Sequence, residues 1–328
     1  MSDRLDIHPA SPDEITAAHG NVYDVWSQGR SPEAHLRYRL ESPTHSRARW
    51  YVGTLDGRVV TSLGCYPIRF RIEGEDLPGI AIGSVHTLSE VRGRGFAPQL
   101  INWVERDNRA AALSVLFSDI QPEYYARIGY TLCPSLEGWV DPQTCPLPSW
   151  ERAAHGVSRV RGSSGDPTAY RLVPFDPRAR LADMQRLYAD YHGAAPLSVS
   201  RNTDYWTMML EKFATDTFHA LTAADSEAWL GYVRIGRKDN TWRITDYALA
   251  DQTEELAEAL YAAFLAAART GGAKRAGGWL PDSAAAIKFF PLTPRRTEIT
   301  MFKPLAWSGP LSPAAIAAAS RVAELDHV

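Results

Sequence analysis

The chain has 328 residues, 45% of them hydrophobic, and a formal net charge of −3 at neutral pH. That length allows two domains with ordinary cores, and the charge argues against a nucleic-acid binder, which normally carries a strongly basic domain. The three cysteines, Cys65, Cys133 and Cys145, form neither a disulfide framework nor a metal motif and predict reduced thiols in a cytoplasmic protein without a metal. The N-terminal MSDRLDIHPASPDE has no apolar run of the signal-peptide kind. The longest apolar-rich run, Leu256–Ala268, contains Glu258 and is too short to cross a membrane.

Arg4–His8 reads as a first strand. Ser11-Pro12-Asp13-Glu14 starts a helix, with a capping side chain and proline in the first turn, and the helix would carry Ile15, Ala18, Val22 and Val25. Ser31-Pro32-Glu33 starts another that runs through Leu40. Arg49–Leu55 and Val59–Ile72 read as strands joined by Asp56-Gly57, a strong hairpin signal. Glu73-Gly-Glu-Asp turns into an apolar strand at Ile80–Val85. Beyond it Phe96, Leu100, Trp103 and Val104 fall on one helical face. Leu113–Phe117 is a short apolar strand, followed by a short helix and a closing strand near Leu136–Val140. The order predicts an α/β fold, a mixed sheet flanked by helices.

Between the strand at Ile80–Val85 and the helix at Phe96 lie Arg92, Gly93, Arg94 and Gly95. A strand, a glycine-rich turn and a helix start make an anion site, because the first helical N–H groups lack partners and the dipole adds positive charge there. Glycines let the backbone approach a phosphate closely, and arginines supply matching donors. The spacing excludes a P-loop, since no lysine follows, and a dinucleotide fingerprint, whose third glycine falls on Pro98.

What remains, Arg92-x-x-Gly95-x-Ala97, resembles the acyl-CoA loop of the GCN5-related N-acetyltransferases, Q/R-x-x-G-x-G/A. That family's next segment, Y-x-K/R-x-G-F/Y after a strand, is matched by Tyr125-Ala-Arg127-Ile-Gly129-Tyr130. The resemblance covers about residues 1–140, with specific motifs between 80 and 130. It implies acetyl-CoA as cosubstrate, a pantetheine arm paired with the backbone of Val85, His86 and Thr87, a pyrophosphate cradled by Gly93–Pro98 (Arg94, Phe96, Ala97 and Pro98 among them), and Ile120 and Gln121 flanking the arm. Leu116–Tyr125 also looks like a segment of the fungal lysine N6-acetyltransferases.

Residues 141–168 are rich in proline, serine, glycine and arginine and read as a linker. The remainder, 169–328, parallels the first half: a strand at Tyr170–Pro174, helices at Pro177–His192 and Thr203–Phe213, strands at Ala228–Ile235 and Trp242–Leu249, an amphipathic helix at Glu254–Arg269 and a strand at Ala276–Leu280. Pro313–Asp326 reads as an alanine-rich helix. Where the first copy has RGRG, the second has Ala250-Asp-Gln-Thr-Glu-Glu255, whose carboxylates would repel a pyrophosphate; where the first has Tyr124-Tyr125, the second has Phe289-Phe290. Two tandem acetyltransferase-like domains, 1–140 and 169–328, are therefore expected, the second degenerate and with one CoA site in the first. The order resembles that of enhanced-intracellular-survival-like acetyltransferases. In those relatives the C-terminal carboxylate enters the active site. Residues 1–328 leave no room for their third, sterol-carrier-like domain, so the resemblance does not carry that role to Val328.

Tyr125 matches the family's tyrosine acid, and a phenol stays protonated at neutral pH and can donate to a departing thiolate. Tyr124, one residue away, is its rival. His86, Glu90, Asp119 and Glu123 lie near the motifs, but none is marked as the general base. Tyr23, Asp24 and Trp26 would face the acceptor, an aromatic wall with a carboxylate suited to a cationic amine; Asp204-Tyr205-Trp206 is a similar cluster in the second half. The expected function is acetyl transfer to a primary amine of a small molecule (lysine-like, polyamine, aminoglycoside or peptide), with no nucleic-acid or membrane partner and the oligomeric state open. The alternatives are a CoA-binding regulatory module and an acyltransferase with another acyl group or acceptor.

Overall fold

The structure, a computed structural model, describes residues 4–145, 169–212 and 214–327, so the expected linker lies almost wholly outside the described residues. In the first half turn chemistry dictates the layout. β1 (Asp6–Pro9) is followed by α1 (Pro12–Asn21), where Ser11 and Glu14 close a reciprocal cap. The helix expected to reach Val25 stops at Val22, whose φ and ψ of −98° and 6° leave helical geometry, and a single turn, α2 (Tyr23–Trp26), follows. α3 (Pro32–Leu40) is capped by Ser31. Asp56 and Gly57 both take positive φ, 48° and 78°, the geometry that matches strand twist in a two-residue hairpin. They join β2 (Arg49–Leu55) to β3 (Arg58–Ile72). Glu73 and Gly74 repeat the device at 50° and 90° before β4 (Glu75–Thr87). α4 (Phe96–Asp107) buries Phe96, Leu100, Ile101 and Val104, and it returns the chain to β5 (Leu113–Ser118), which runs parallel to β4.

α5 (Glu123–Ala126), β6 (Thr131–Leu132) and β7 (Leu136–Val140) end the first half. The second contains β8 (Tyr170–Pro174), α6 (Leu181–Gly193), β9 (Leu197–Ser200), α7 (Thr203–Glu211), β10 (Thr217–Ala223), β11 (Trp229–Lys238) and β12 (Thr241–Leu249). It continues through α8 (Glu254–Thr270), β13 (Arg275–Trp279), α9 (Ala284–Phe289), β14 (Leu292–Pro294), β15 (Ile299–Pro304) and α10 (Pro313–Ala318). β9, β10, β14 and β15 had no counterpart in the sequence reading.

The two sheets exchange strands. The first has the order β1-β2-β3-β4-β5-β15-β6, with β9 added on the far half of β3; the second is β14-β7-β13-β12-β11-β10-β8. β7, expected to close the first sheet, joins the second between β14 and β13, and β15 takes its place beside β5. A glycine contact permits the first move: a Cβ on Gly277 would lie 1.9 Å from the carbonyl oxygen of residue 138, so β13 admits β7 only because position 277 has no side chain. Packing explains the second, since Met301 and Phe302 of β15 are fully buried and Phe302 meets Phe70 at 5.5 Å. A boundary at residue 140 is thus crossed by strands in both directions. The expected C-terminal helix is shorter than Pro313–Asp326: after α10 the chain makes 3-10 turns at Ala319–Arg321 and Glu324–Asp326, separated by extended Val322 and Ala323.

Candidate active site

The sheet creates the site by coming apart. β4 and β5 pair only from Ile80–Ser114 to Ile82–Leu116, although β4 continues to Thr87 and β5 to Ser118. On its other side β4 carries a bulge: Ser84 and Val85 stand opposite Leu63 alone, and Ser84 takes φ +52°, a costly conformation for a residue with a side chain. Past that bulge the edge of β4 facing β5 has no ladder partner, and its backbone groups are free to pair with a ligand. A cleft of about 1130 Å³ opens there. Its walls come from α2 and α3, residues 41–45, β4 from Ile82 to Thr87, the 91–98 turn, Asp119 to Tyr125 and, from the second half, Glu211, Lys212 and His327.

The glycine turn lies at one end. Gly95 is the N-cap of α4 with φ +75° and provides no side-chain cap, so the first helical N–H groups are left for a ligand. Gly93 takes φ +81° with open space where a Cβ would be. This cradle fits a pyrophosphate, as the chemistry of the expected CoA requires. Arg92, Gly93, Gly95, Phe96, Ala97 and Pro98 line the cleft; Arg94 does not, and its guanidinium lies 4.7 Å over the Phe96 ring. Arg92 donates from Nε to the Thr87 carbonyl at 3.0 Å, tying the turn to the end of β4.

Tyr125 stands where the strands part. It is 9% exposed, lines the cleft, and packs edge-on against Tyr124 at 5.1 Å and Tyr130 at 6.1 Å. Burial pushes its phenol far above the ordinary range, with Tyr124 and Asp119 adding to it, so the hydroxyl is protonated. Tyr124 also lines the cleft, and the two rings, set nearly perpendicular, both reach it. Ile120 lines it too, whereas Gln121 does not; the Gln121 carbonyl instead accepts from Tyr124 N. Val85, His86 and Thr87 line the opposite wall. His86 is nearly buried, meets Trp26 edge-on at 6.4 Å, and is held below its usual pKa first by burial and then by Arg92.

The expected acceptor cluster divides. Trp26 lines the cleft, but Tyr23 turns away, donating to the Arg30 carbonyl and packing on His35, and Asp24 is exposed outside it. No carboxylate from Asp24 completes the cation wall. The aromatic residues of the Asp204-Tyr205-Trp206 cluster are core, while Asp204 is exposed: Tyr205 donates to buried Asp326, and Trp206 is 2% exposed. The Cys65 and Cys133 thiols are buried and pushed up to about 12, which makes them inert at neutral pH. Among the described residues no group of histidines, cysteines or carboxylates could hold a metal ion, and no helix is long and apolar enough to cross a membrane.

Sequence reasoning missed Arg39, His45, Lys212 and His327, all of which line the cleft. Arg39 sits in a polar helix without periodic signal. Lys212 and His327 arrive through the docking of the second half, where the Lys212 ammonium donates to the His327 carbonyl. Val328 lies outside the described residues; His327 stands at the cleft wall, its ring 5.0 Å from Phe117 and 6.1 Å from Trp279.

Residues 6–133 match the family model described as an acetyltransferase (GNAT) domain. Strand splay, glycine cradle and tyrosine all fall inside that span, so it is the first half of the chain that carries the acetyltransferase (GNAT) domain. A search of curated proteins returns no match. Among solved structures, a GCN5-related N-acetyltransferase from Anabaena variabilis superposes with a TM-score of 0.65 at 18% identity, over 92% of this chain and 73% of that one. Eis1 from Mycobacterium abscessus gives 0.59 at 16% identity over 92% and 74%. Saccharomyces cerevisiae N-myristoyltransferase with bound myristoyl-CoA gives 0.56 at 9% over 92% and 79%. At these identities the likeness is one of fold, and it extends across both halves.

Proposed function

We propose that the protein transfers an acetyl group directly from acetyl-CoA to the primary amine of a small molecule. The observation that carries this reading is the parting of β4 and β5 onto a cleft with an uncapped helix start at one end and a buried, protonated Tyr125 at the parting point. In this reading the α4 N-terminus and Gly93–Pro98 hold the pyrophosphate, and the unpaired edge of β4 at Val85–Thr87 holds the pantetheine. The thioester carbonyl then lies between the strands. The amine nitrogen forms the C–N bond as the C–S bond breaks, and Tyr125 Oη gives its proton to the departing sulfur. The amine's surplus proton leaves to a base; His86 and His45 both line the cleft and are both neutral at pH 7 by burial. Positioning alone supplies several kcal/mol of barrier reduction in such a transfer.

The acceptors in view are lysine-like amines, polyamines, aminoglycosides and peptides. The likeness of Leu116–Tyr125 to the fungal lysine N6-acetyltransferases keeps lysine among them. The exposed apolar side chains Val25 and Ile120 on the cleft favour one second reading, an acyl group longer than acetyl. CoA release from acetyl-CoA and longer acyl-CoAs, across a panel of these amines, tests both readings. Release with one amine class supports the transferase. Saturable acyl-CoA binding with no release for any amine would replace it with a CoA-binding regulatory module.

A further inference from the structure

Arg39 is a buried cation that faces the cleft without a carboxylate. It is 7% exposed. Its Nη2 donates to Ser84 Oγ at 3.1 Å, its Nε meets His19 Nδ1 at 3.5 Å, and its guanidinium carbon lies 5.4 Å from the Trp26 ring centroid. None of these partners carries negative charge. The deep guanidinium groups of the second half are treated differently: Arg201 is held by Asp246 and Asp326, and Arg234 by Asp216. Glu41, Asp119 and Glu211 also line the cleft, but they are exposed, and among the described residues no carboxylate pairs with Arg39. The histidines beside it, His19 and His45, are neutral and cancel nothing.

An uncompensated buried cation is costly, and a ligand carboxylate offsets that cost while matching the planar fork of arginine. The Nη2 bond places the guanidinium against Ser84, the bulge residue at which β4 turns away from β5, so a group held there lies beside the expected thioester. We propose that Arg39 receives a carboxylate of the acceptor. The acceptor is then an amine that carries its own acid group, of the amino-acid kind, and not a polycation. This rests on the acetyl-transfer reading and narrows its substrate class: lysine stays, whereas polyamines and aminoglycosides fall away.

The test uses matched sets of amino acid, amino-acid amide and decarboxylated amine, such as lysine, lysinamide and cadaverine. CoA release in the wild type should favour the acid over both analogues at least tenfold in kcat/KM. In Arg39→Gln the acid-to-amide ratio should fall to near one, and Arg39→Lys should restore part of it, a pattern that a residue merely bracing the Ser84 bulge would not produce. Equal use of acid and amide by the wild type overturns the proposal without reference to any variant. Calorimetric titration of N-acetyl-lysine against its amide, with and without CoA, decides the matter independently of turnover. Tighter binding of the acid supports Arg39 as the carboxylate receptor even if no transfer is seen. Equal or absent binding of the two overturns it, while failure of acetyl-CoA itself to bind would count against the transferase reading alone.

Discussion

Each half of the molecule builds a parallel strand pair that separates at its C-terminal end, and the two halves use the gap in opposite ways. In the first, β4 and β5 part after Ile82 and Leu116, and the gap stays open as a cleft of about 1130 Å³. In the second, β12 and β13 pair from Thr241–Arg275 to Ile244–Gly278, and β12 runs on to Leu249. There the chain's own residues 320–324 lie against Thr245, Asp246 and Tyr247, and the space that remains is about 10 Å³. Arg201 binds the filling segment in place, its fork shared between Asp246 of β12 and Asp326 of the tail, with Tyr232 and Tyr205 donating to the same carboxylates. The helices that follow differ in the same sense. α4 starts at Gly95 without a side-chain cap, whereas α8 is capped by Thr253, which accepts from Leu256 N. Loss of a site in the second half is therefore as much a matter of filling as of missing residues.

The largest effect expected from this contrast is at the tyrosine. Tyr125→Phe should lower kcat by a factor of about 10² to 10⁴, the usual worth of a positioned acid, with acetyl-CoA binding nearly unchanged. Turnover within threefold of wild type would remove the acid role. The converse change in the second half, Phe290→Tyr, should yield no activity, since Phe290 is 1% exposed and its new hydroxyl would be buried without a partner, costing about 1–3 kcal/mol.

Next in size is the plug. Asp326→Asn leaves Arg201 with a single carboxylate in a site shut off from water, and urea unfolding should show a loss of about 3–5 kcal/mol. Arg201→Met, which strands both Asp246 and Asp326, should lose more, and the triple apolar change Arg201→Met, Asp246→Leu and Asp326→Leu should recover part of that loss, because it removes all three charges together. If Asp326→Asn is as stable as wild type, the tail does not depend on this ion network.

Two glycines of matching conformation sharpen the comparison further. Gly95 precedes α4 at φ +75° and Gly272 follows α8 at φ +73°, and a Cβ at either meets almost nothing. Alanine at either should cost about 1–2 kcal/mol of backbone strain. Only Gly95→Ala should also raise KM for acetyl-CoA, by about tenfold, the equivalent of about 1.4 kcal/mol of lost cradle binding. An equal KM change in both variants would mean that the cradle is not at Gly95.

Much of the first half was legible because its signals are local. Asp56-Gly57 announces its hairpin, Ser11 and Glu14 their cap, and Arg92–Ala97 the turn and helix start, each through the conformation those residues prefer. What was not legible depends on distant pairing. Nothing within Leu136–Val140 or Ile299–Pro304 tells which sheet each will join, since either is an adequate strand; the choice rests on the bare Gly277 admitting the backbone of β7 and on the burial of Met301 and Phe302. The cleft residues supplied from outside the motifs, Arg39, Lys212 and His327, share this character. Tyr23 and Asp24 failed as acceptor residues for a local reason, the break at Val22, after which α2 brings Val25 and Trp26 to the cleft and leaves Tyr23 and Asp24 off it.

The smallest effect concerns the histidines, and it separates the two halves by cause. His19 and His45, beside the cleft, are lowered from 6.5 to about 3 and about 4, first by burial and next by the charge of Arg39. His192, in the second half, is lowered to about 4 by burial, with the Tyr247 carbonyl pulling it back up and the charge of Arg201 opposed by those of Asp246 and Asp326. A folded-state pKa below the unfolded value means that the unfolded chain binds more protons as the solution acidifies. The stability these neutral histidines contribute is therefore complete above pH 6.5 and lost as pH falls from there toward 4. Each adds at most about 1.4 kcal/mol per pH unit, less for His19 and His45 because water in the adjoining cleft screens them. Unfolding free energy measured at pH 7 and pH 5 should fall in the wild type and fall less in Arg39→Gln, because its two cleft histidines no longer face a fixed positive charge. His192→Gln should make the fall shallower chiefly by the burial route, since the carboxylates beside Arg201 offset its charge there. If Arg39→Gln has the same pH dependence as wild type, burial sets the histidine charge in both halves, and the difference between them lies only in what fills the gap.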